Sequence, residues 1–235
     1  MRNPFPCVLM LLAGLAIGII GSVLFIGEAL PAFKASTVTT NVPAQQKANS
    51  TLTNGSPSTE TSAVQDLSGN RVLLEFADKV SESIKGKDYQ TLSTYIHPTK
   101  GVTFTPYSTV DLKANLNFKA DKIKNAADDK NKYSWGLTDG KGEPIQLTIS
   151  DYFDQYVYNA DYLEAPVIGI DQVMASGNSP ENVSEEYPNA RFVEYHYPSL
   201  KPDNKGFDWC SLKLVFEEYN GEYKLVGMIH SQWTI

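Results

Sequence analysis

Two cysteines and three histidines are all that these 235 residues offer of the usual metal and redox ligands. Cys7 lies in a long apolar run and Cys210 far downstream, so the folded part holds no internal disulfide and depends on its core. Four Cys or His side chains at metal-ligand spacing are missing, which argues against a structural zinc site; no metal or cofactor is expected. A basic footprint is missing too. Residues 71–140 carry 11 Lys/Arg against 9 Asp/Glu, and residues 141–235 carry 6 against 15, a balance that excludes nucleic acid as a partner. The lysines from Lys113 to Lys132 are interleaved with Asp121, Asp128 and Asp129 and read as a solvated surface. The sequence also lacks internal repeats and any spacing that marks a catalytic centre.

What the sequence does have is one long uncharged stretch. From Cys7 to Gly27 there are 21 residues without a charge, enough at about 1.5 Å per residue to cross the roughly 30 Å hydrocarbon core of a bilayer. A signal peptide has a shorter apolar region and small residues at its cleavage site, whereas Glu28 to Lys34 offers no clean small-x-small site. The expectation is therefore an uncleaved single-pass anchor over residues 1–34, with secretion after cleavage as the alternative. Cys7 precedes the apolar region, the wrong place for lipoprotein processing. Arg2 favours a cytoplasmic N-terminus and puts the C-terminal part outside the cytoplasm. Residues 35–69 are dominated by Ser, Thr, Asn, Gln, Ala and Pro and read as a disordered linker, which makes 71–235 the extracytoplasmic domain. Asn49, Asn54 and Asn182 each begin an Asn-x-Ser/Thr triplet of the kind that arises by chance in such composition.

Within that domain, Leu73, Phe76, Val80 and Ile84 recur at helical spacing, and Gly86 ends the helix that begins at Arg71. Asp88 caps a second, shorter helix that reaches Ile96, and His97 before Pro98 is placed to hydrogen-bond the last carbonyls. Val102 to Tyr107 alternates as a strand. Asp139-Gly140 marks a hairpin turn; an EF-hand reading of the same loop fails because Trp135 and Leu137 would stand at ligand positions. Thr148 with Asp151 opens a third helix through Tyr156 and Val157. Four strands follow, over 165–175, 190–198, 209–219 and 222–235, with loops at 176–189 and 199–208. Helices first and an antiparallel meander last predict an α+β domain with helices packed on one face of the sheet.

The helix at Asp88 to Ile96 with His97-Pro98, the Trp135-Gly136 to Pro144-Ile145 block, the Tyr-rich helix at Tyr152 to Tyr158 and the ending Val226 to Ile235 resemble an uncharacterised group of bacterial envelope proteins. Their element order is similar to that of the nuclear-transport-factor-2-like superfamily, a cone of helices over a curved antiparallel sheet. That resemblance implies a fold rather than an activity, because the superfamily holds isomerase-like and cyclase-like enzymes beside membrane-tethered and non-catalytic binding modules.

Asn220-Gly221 is the strongest turn signal in the chain and predicts that Tyr219 pairs with Glu222. Carried along both strands, that register sets Phe216 against Leu225, Cys210 against Ser231, and Ser211 directly against His230. Ser211 and His230 then form a polar pair at an interface or cleft. A cavity lined by Tyr152, Tyr156, Asp208, Ser231 and Trp233 is the expected ligand site. No residue is assigned as catalytic. The functional expectation is a membrane-tethered binding or interaction module of the cell envelope. Beyond the membrane, its partner is left open among a protein, a cell-wall polymer and a small apolar ligand, and a homodimer is compatible. The alternative is a small-molecule enzyme with an acid/base group in the cone.

Overall fold

The computed structural model describes residues 59–234, so the expected anchor over 1–34 and the linker as far as residue 58 lie outside the described residues. Among the described residues no helix is long and apolar enough to cross a membrane. Helix α1 spans Thr59–Lys85 and so begins well before Arg71, which makes 59–69 helix rather than linker. No proline or glycine interrupts 58–68, and once the packed half of the helix is formed each added residue costs little. Leu73, Ala77, Val80 and Ile84 form its buried row. The chain reverses at Gly86 and Lys87, the latter at φ 52°, and Asp88 accepts from Thr91 N at 3.0 Å to cap α2, Tyr89–Tyr95. His97 is buried, but its Nδ1 accepts from the Thr99 and Lys100 N–H groups that follow it. It caps the next turn rather than the carbonyls of α2.

Two sheets follow. Strands β1 (Val102–Thr105), β2 (Asn117–Phe118), β5 (Val167–Ile170), β6 (Arg191–Tyr197), β7 (Cys210–Tyr219) and β8 (Glu222–Gln232) form a six-stranded sheet in the order β2-β1-β8-β7-β6-β5. Strands β3 (Tyr133–Leu137) and β4 (Pro144–Leu147) form a separate hairpin. Between β2 and β3 lies α3, Ala120–Lys124. Thr148 accepts from Asp151 N at 3.1 Å to cap α4, Ile149–Tyr152, which runs into a π-helical turn over Phe153–Val157. The molecule is α+β, as the element order predicts. The large sheet is mixed, however, because β1 joins β8 in parallel. A strand that meets its neighbour only after most of the domain has been threaded is free of the hairpin constraint that makes sequential strands antiparallel.

The β7–β8 turn has Asn220 at φ 55° and Gly221 at φ 82°, and Tyr219 pairs with Glu222 as predicted. The register then shifts: Phe216 still faces Leu225, but Val215 faces Gly227, leaving Val226 as an extra residue. Beyond this bulge Ser211 faces Ser231, Leu212 faces His230, and Cys210 faces Gln232. Ser211 and His230 are therefore on opposite faces of the sheet, and the predicted pair does not exist. Alternation could not have fixed the register here, because β7 and β8 are buried on both faces over most of their length.

Both faces are covered. Helices α1 and α2 and the α4 turn pack on one, over Val193, Tyr195, Leu212, Leu214 and Met228. The other carries Phe192, Val215 and Ile229, and Val110, Val183 and Tyr187 cover it; Val183 opens the short helix α5, Val183–Glu186. Ser211 and His230, expected at an interface or cleft, are thus both interior. Asn182 helps to fix this cover, accepting from Val110 N at 2.8 Å and donating to Val110 O at 2.9 Å, so its amide is engaged in the fold.

Gly101 holds the turn into β1 at φ 76°, and a Cβ there would lie 2.6 Å from Phe118 O. Gly101→Ala should cost about 2 kcal/mol in urea unfolding, from strain and displacement of the β1–β2 pair.

Candidate functional site

A surface groove lies at the tip of the β7–β8 hairpin. It is a groove of about 680 Å³ between α1, α2 and the turn, lined by Ser68, Gly69, Val72, Phe76, Thr94, Tyr95, Glu218 and residues 221–224. Three aromatics shape it. Phe76 meets Tyr95 edge-on with ring centroids 5.3 Å apart and lies 6.4 Å from Tyr223. Val72 on the α1 side is 51% exposed, an apolar residue with little cover. Glu218 and Glu222 give the rim an acidic character, with Lys224 pairing to Glu222 at 3.2 Å. The sequence reading took Phe76 for a core residue. The available signal was its offset from the Leu73–Ala77–Val80–Ile84 row, together with a tyrosine directly after the turn.

The space between helices and sheet is filled rather than hollow around the π-helical turn. Trp135 stacks on Tyr152 at 3.7 Å, Tyr152 on Tyr156 at 5.0 Å, and Tyr156 presents its ring to His230 at 5.6 Å and 90°. Phe104 abuts Trp135, Tyr152 and Phe153. Burial pushes the Tyr152 hydroxyl well above the ordinary phenol range and Tyr156 up to about 12, so both are neutral. His230 Nδ1 lies 2.9 Å from Pro106 O, a bond only an N–H can make to a carbonyl, which leaves Nε2 as the bare lone pair. Nε2 and the Tyr152 hydroxyl have no hydrogen-bond partner among the described residues. Burial lowers the His230 pKa to about 4.

On the opposite sheet face is a buried ionic cluster. Lys213, fully buried, stands 2.7 Å from Glu181 and 3.5 Å from Glu194, and donates to Ser231 Oγ at 3.0 Å. Ser108 Oγ donates to Ser231 Oγ at 3.0 Å. Glu194 also accepts from Met174 N at 3.1 Å, and burial raises its pKa against the pull of Lys213. Ser211 lies 2.8 Å from His196 Nδ1, so its histidine partner is His196. Ser211 is fully buried, which closes its hydroxyl to a substrate in this conformation. The lysine inside the apolar run Leu212-Lys213-Leu214 was the sequence signal for this cluster.

The five residues expected to share one cavity fall in three places. Tyr152 and Tyr156 belong to the filled aromatic stack, and Ser231 to the ionic cluster on the other face. Asp208 and Trp233 do meet, in a pocket of about 210 Å³ at the far end of β7–β8 with Asn159, Leu200, Phe207 and Cys210. Strand β8 ends at Gln232, so Trp233 leaves the alternation that carries Ser231 into the sheet. Among the described residues no cluster of three or more His, Cys, Asp or Glu side chains is arranged to hold a metal ion.

No protein-family model and no curated protein matches the chain. Among solved structures, Aln2 from a Streptomyces species is similar at 9% identity, over 75% of this chain and 93% of its own, with a TM-score of 0.31. A calcium/calmodulin dependent protein kinase II association domain from Xanthomonas campestris is similar at 8% identity, over 79% and 93%, with a TM-score of 0.26. Likenesses of that size leave the functional reading to the residues themselves.

Proposed function

We propose that the protein is a membrane-tethered, extracytoplasmic binding module of the cell envelope, whose partner seats an apolar group in the groove between α1, α2 and the β7–β8 turn. The observation that carries this reading is the contrast between a packed aromatic interior and a 680 Å³ surface groove lined by Phe76, Tyr95 and Tyr223. The uncharged run at 7–27 supports the anchor, and the Ser/Thr-rich stretch after it supports the tether. The helices-over-sheet order supports a cone of the nuclear-transport-factor-2-like type, in which the groove opens beside the sheet rather than within it.

Two measurements test this. The neutral dye Nile red should bind the segment 59–235 with enhanced fluorescence, and Tyr223→Ala or Val72→Glu should weaken that binding roughly tenfold, the loss of one buried ring or the gain of one charge. Unchanged dye binding in both variants would remove the groove from consideration. For the anchor, the full chain should stay in the membrane fraction after an alkaline carbonate wash and leave it when 7–27 is deleted.

A second reading, a small-molecule enzyme, is favoured by the unpartnered His230 Nε2 and Tyr152 hydroxyl, which are the right groups for proton transfer. It requires Tyr152 and Tyr156 to swing apart to admit a substrate. A crystal soaked with small carbonyl compounds that keeps the stack closed and empty argues against it.

A further inference from the structure

The pocket at the far end of β7–β8 is built from a different chemistry than the groove. Phe207 and Trp233 meet edge to face with centroids 5.0 Å apart and an interplanar angle of 85°, and they are 62% and 42% exposed. Large aromatics left in water on a floppy loop would fold back; these are held out. Asp208 ties the loop by accepting from Ser199 Oγ, Lys201 N and Asn204 Nδ2 at 2.7–2.8 Å, and Trp233 N donates to Trp209 O at 3.1 Å. The corner made by the two rings is therefore preorganised.

Its polar lining is open. Asn159 uses its Oδ1 to accept from Tyr162 at 2.7 Å, while its N–H₂ group and the Gln232 amide make no hydrogen bond among the described residues. An aromatic wall faced by unpaired amides suits one ligand chemistry above others. A pyranose ring presents C–H groups on its flat face and hydroxyls around its edge, so it packs on the indole while exchanging hydrogen bonds with amides. An acyl chain or an apolar side chain would instead desolvate Gln232 and Asn159 with nothing to pair them. The volume, about 210 Å³, has room for a single sugar ring.

We propose that this pocket is a carbohydrate subsite: Trp233 and Phe207 pack against one neutral hexopyranose unit of a polysaccharide, and Gln232 and Asn159 hydrogen-bond its hydroxyls. It shares no residue with the groove at the hairpin tip, so it stands or falls separately from that reading.

Tryptophan emission reads the binding directly. Trp135 and Trp209 are 2% and 8% exposed, so Trp233 supplies the solvent-exposed component. The full chain, held in lauryldimethylamine oxide micelles to avoid a sugar headgroup, is titrated with the trimers of N-acetylglucosamine and of glucose. At least one trimer should give a saturable blue shift with a Kd on the order of 1 mM, as expected of a one-ring site. Gln232→Ala, which keeps the reporter, should weaken that Kd roughly tenfold, and Trp233→Ala should abolish heat of binding in calorimetry. Val72→Glu should leave it unchanged. No saturable shift with either trimer, an unaltered Kd in Gln232→Ala, or the same shift from phosphatidylcholine vesicles without sugar would each overturn the proposal, the last by making the patch a lipid contact.

Discussion

Lys213→Met should be among the most destabilising single substitutions in the domain, lowering the unfolding free energy in urea by about 3–5 kcal/mol. The lysine is fully buried, with Glu181 at 2.7 Å and Glu194 at 3.5 Å. Methionine fills nearly the same volume but leaves Glu194, itself fully buried, facing apolar surroundings with no cation. The expected loss is thus the cost of a stranded carboxylate rather than the worth of the pair. Lys213→Met/Glu194→Gln should accordingly recover about half of it or more, whereas Glu181→Gln alone should cost less, since the Glu181 side chain is 14% exposed. The sign with pH is a further check. Burial already raises the Glu194 pKa in the folded state, and loss of Lys213 raises it further. A folded state that holds the extra proton gains stability as pH falls, so the single variant should be rescued toward pH 5 relative to wild type. A loss of less than about 1 kcal/mol, or no rescue on acidification, would mean that the cover over this face opens and hydrates the cluster.

That cluster also marks where the sequence stops being legible. The local signals were clear: the Asp88 and Thr148 caps and the Asn220-Gly221 turn each depend on two to four adjacent residues, and each stands where those residues put it. What depends on distant residues was hidden. The segment 176–189 reads as loop from its Gly, Asn, Ser and Pro, yet Val183 and Tyr187 within it seal the second sheet face. Covering both faces removed the polarity contrast that would have betrayed the Val226 bulge, and with it the true positions of Ser211, His230 and Ser231. The parallel β1–β8 pairing likewise has no local signature. Of the candidate sites, Asp208 and Trp233 could be placed together because they flank the same strand ends. The groove could not, since it needs α1, α2 and the hairpin tip to meet.

His230 gives the largest expected dependence on pH. In the folded state its Nδ1–H is committed to Pro106 O, its Nε2 is buried without a partner among the described residues, and burial lowers its pKa from 6.5 to about 4. A second proton on Nε2 would place a charge beside the Tyr156 ring and within reach of Lys213, which already acts against it. Because the folded pKa lies below the unfolded one, the unfolded chain takes up the proton first. The stability tied to a neutral His230 is full above about pH 6.5 and is lost as pH falls toward 4, amounting to about 3 kcal/mol across that window. His97 and His196, also lowered by burial, add to the loss, while Glu194, raised by burial, works against it. The contribution of His230 is therefore isolated by difference. Unfolding free energies of wild type and His230→Gln, measured in urea at pH 7, 6, 5 and 4, should close on acidification and cross at about pH 5: the variant starts about 1–2 kcal/mol lower, having a poorer bond to Pro106 O, and then falls less steeply, ending above wild type at pH 4. Parallel curves over the whole range would show that His230 is solvated or paired in the folded state, and would also remove the lone pair on which the enzyme reading depends.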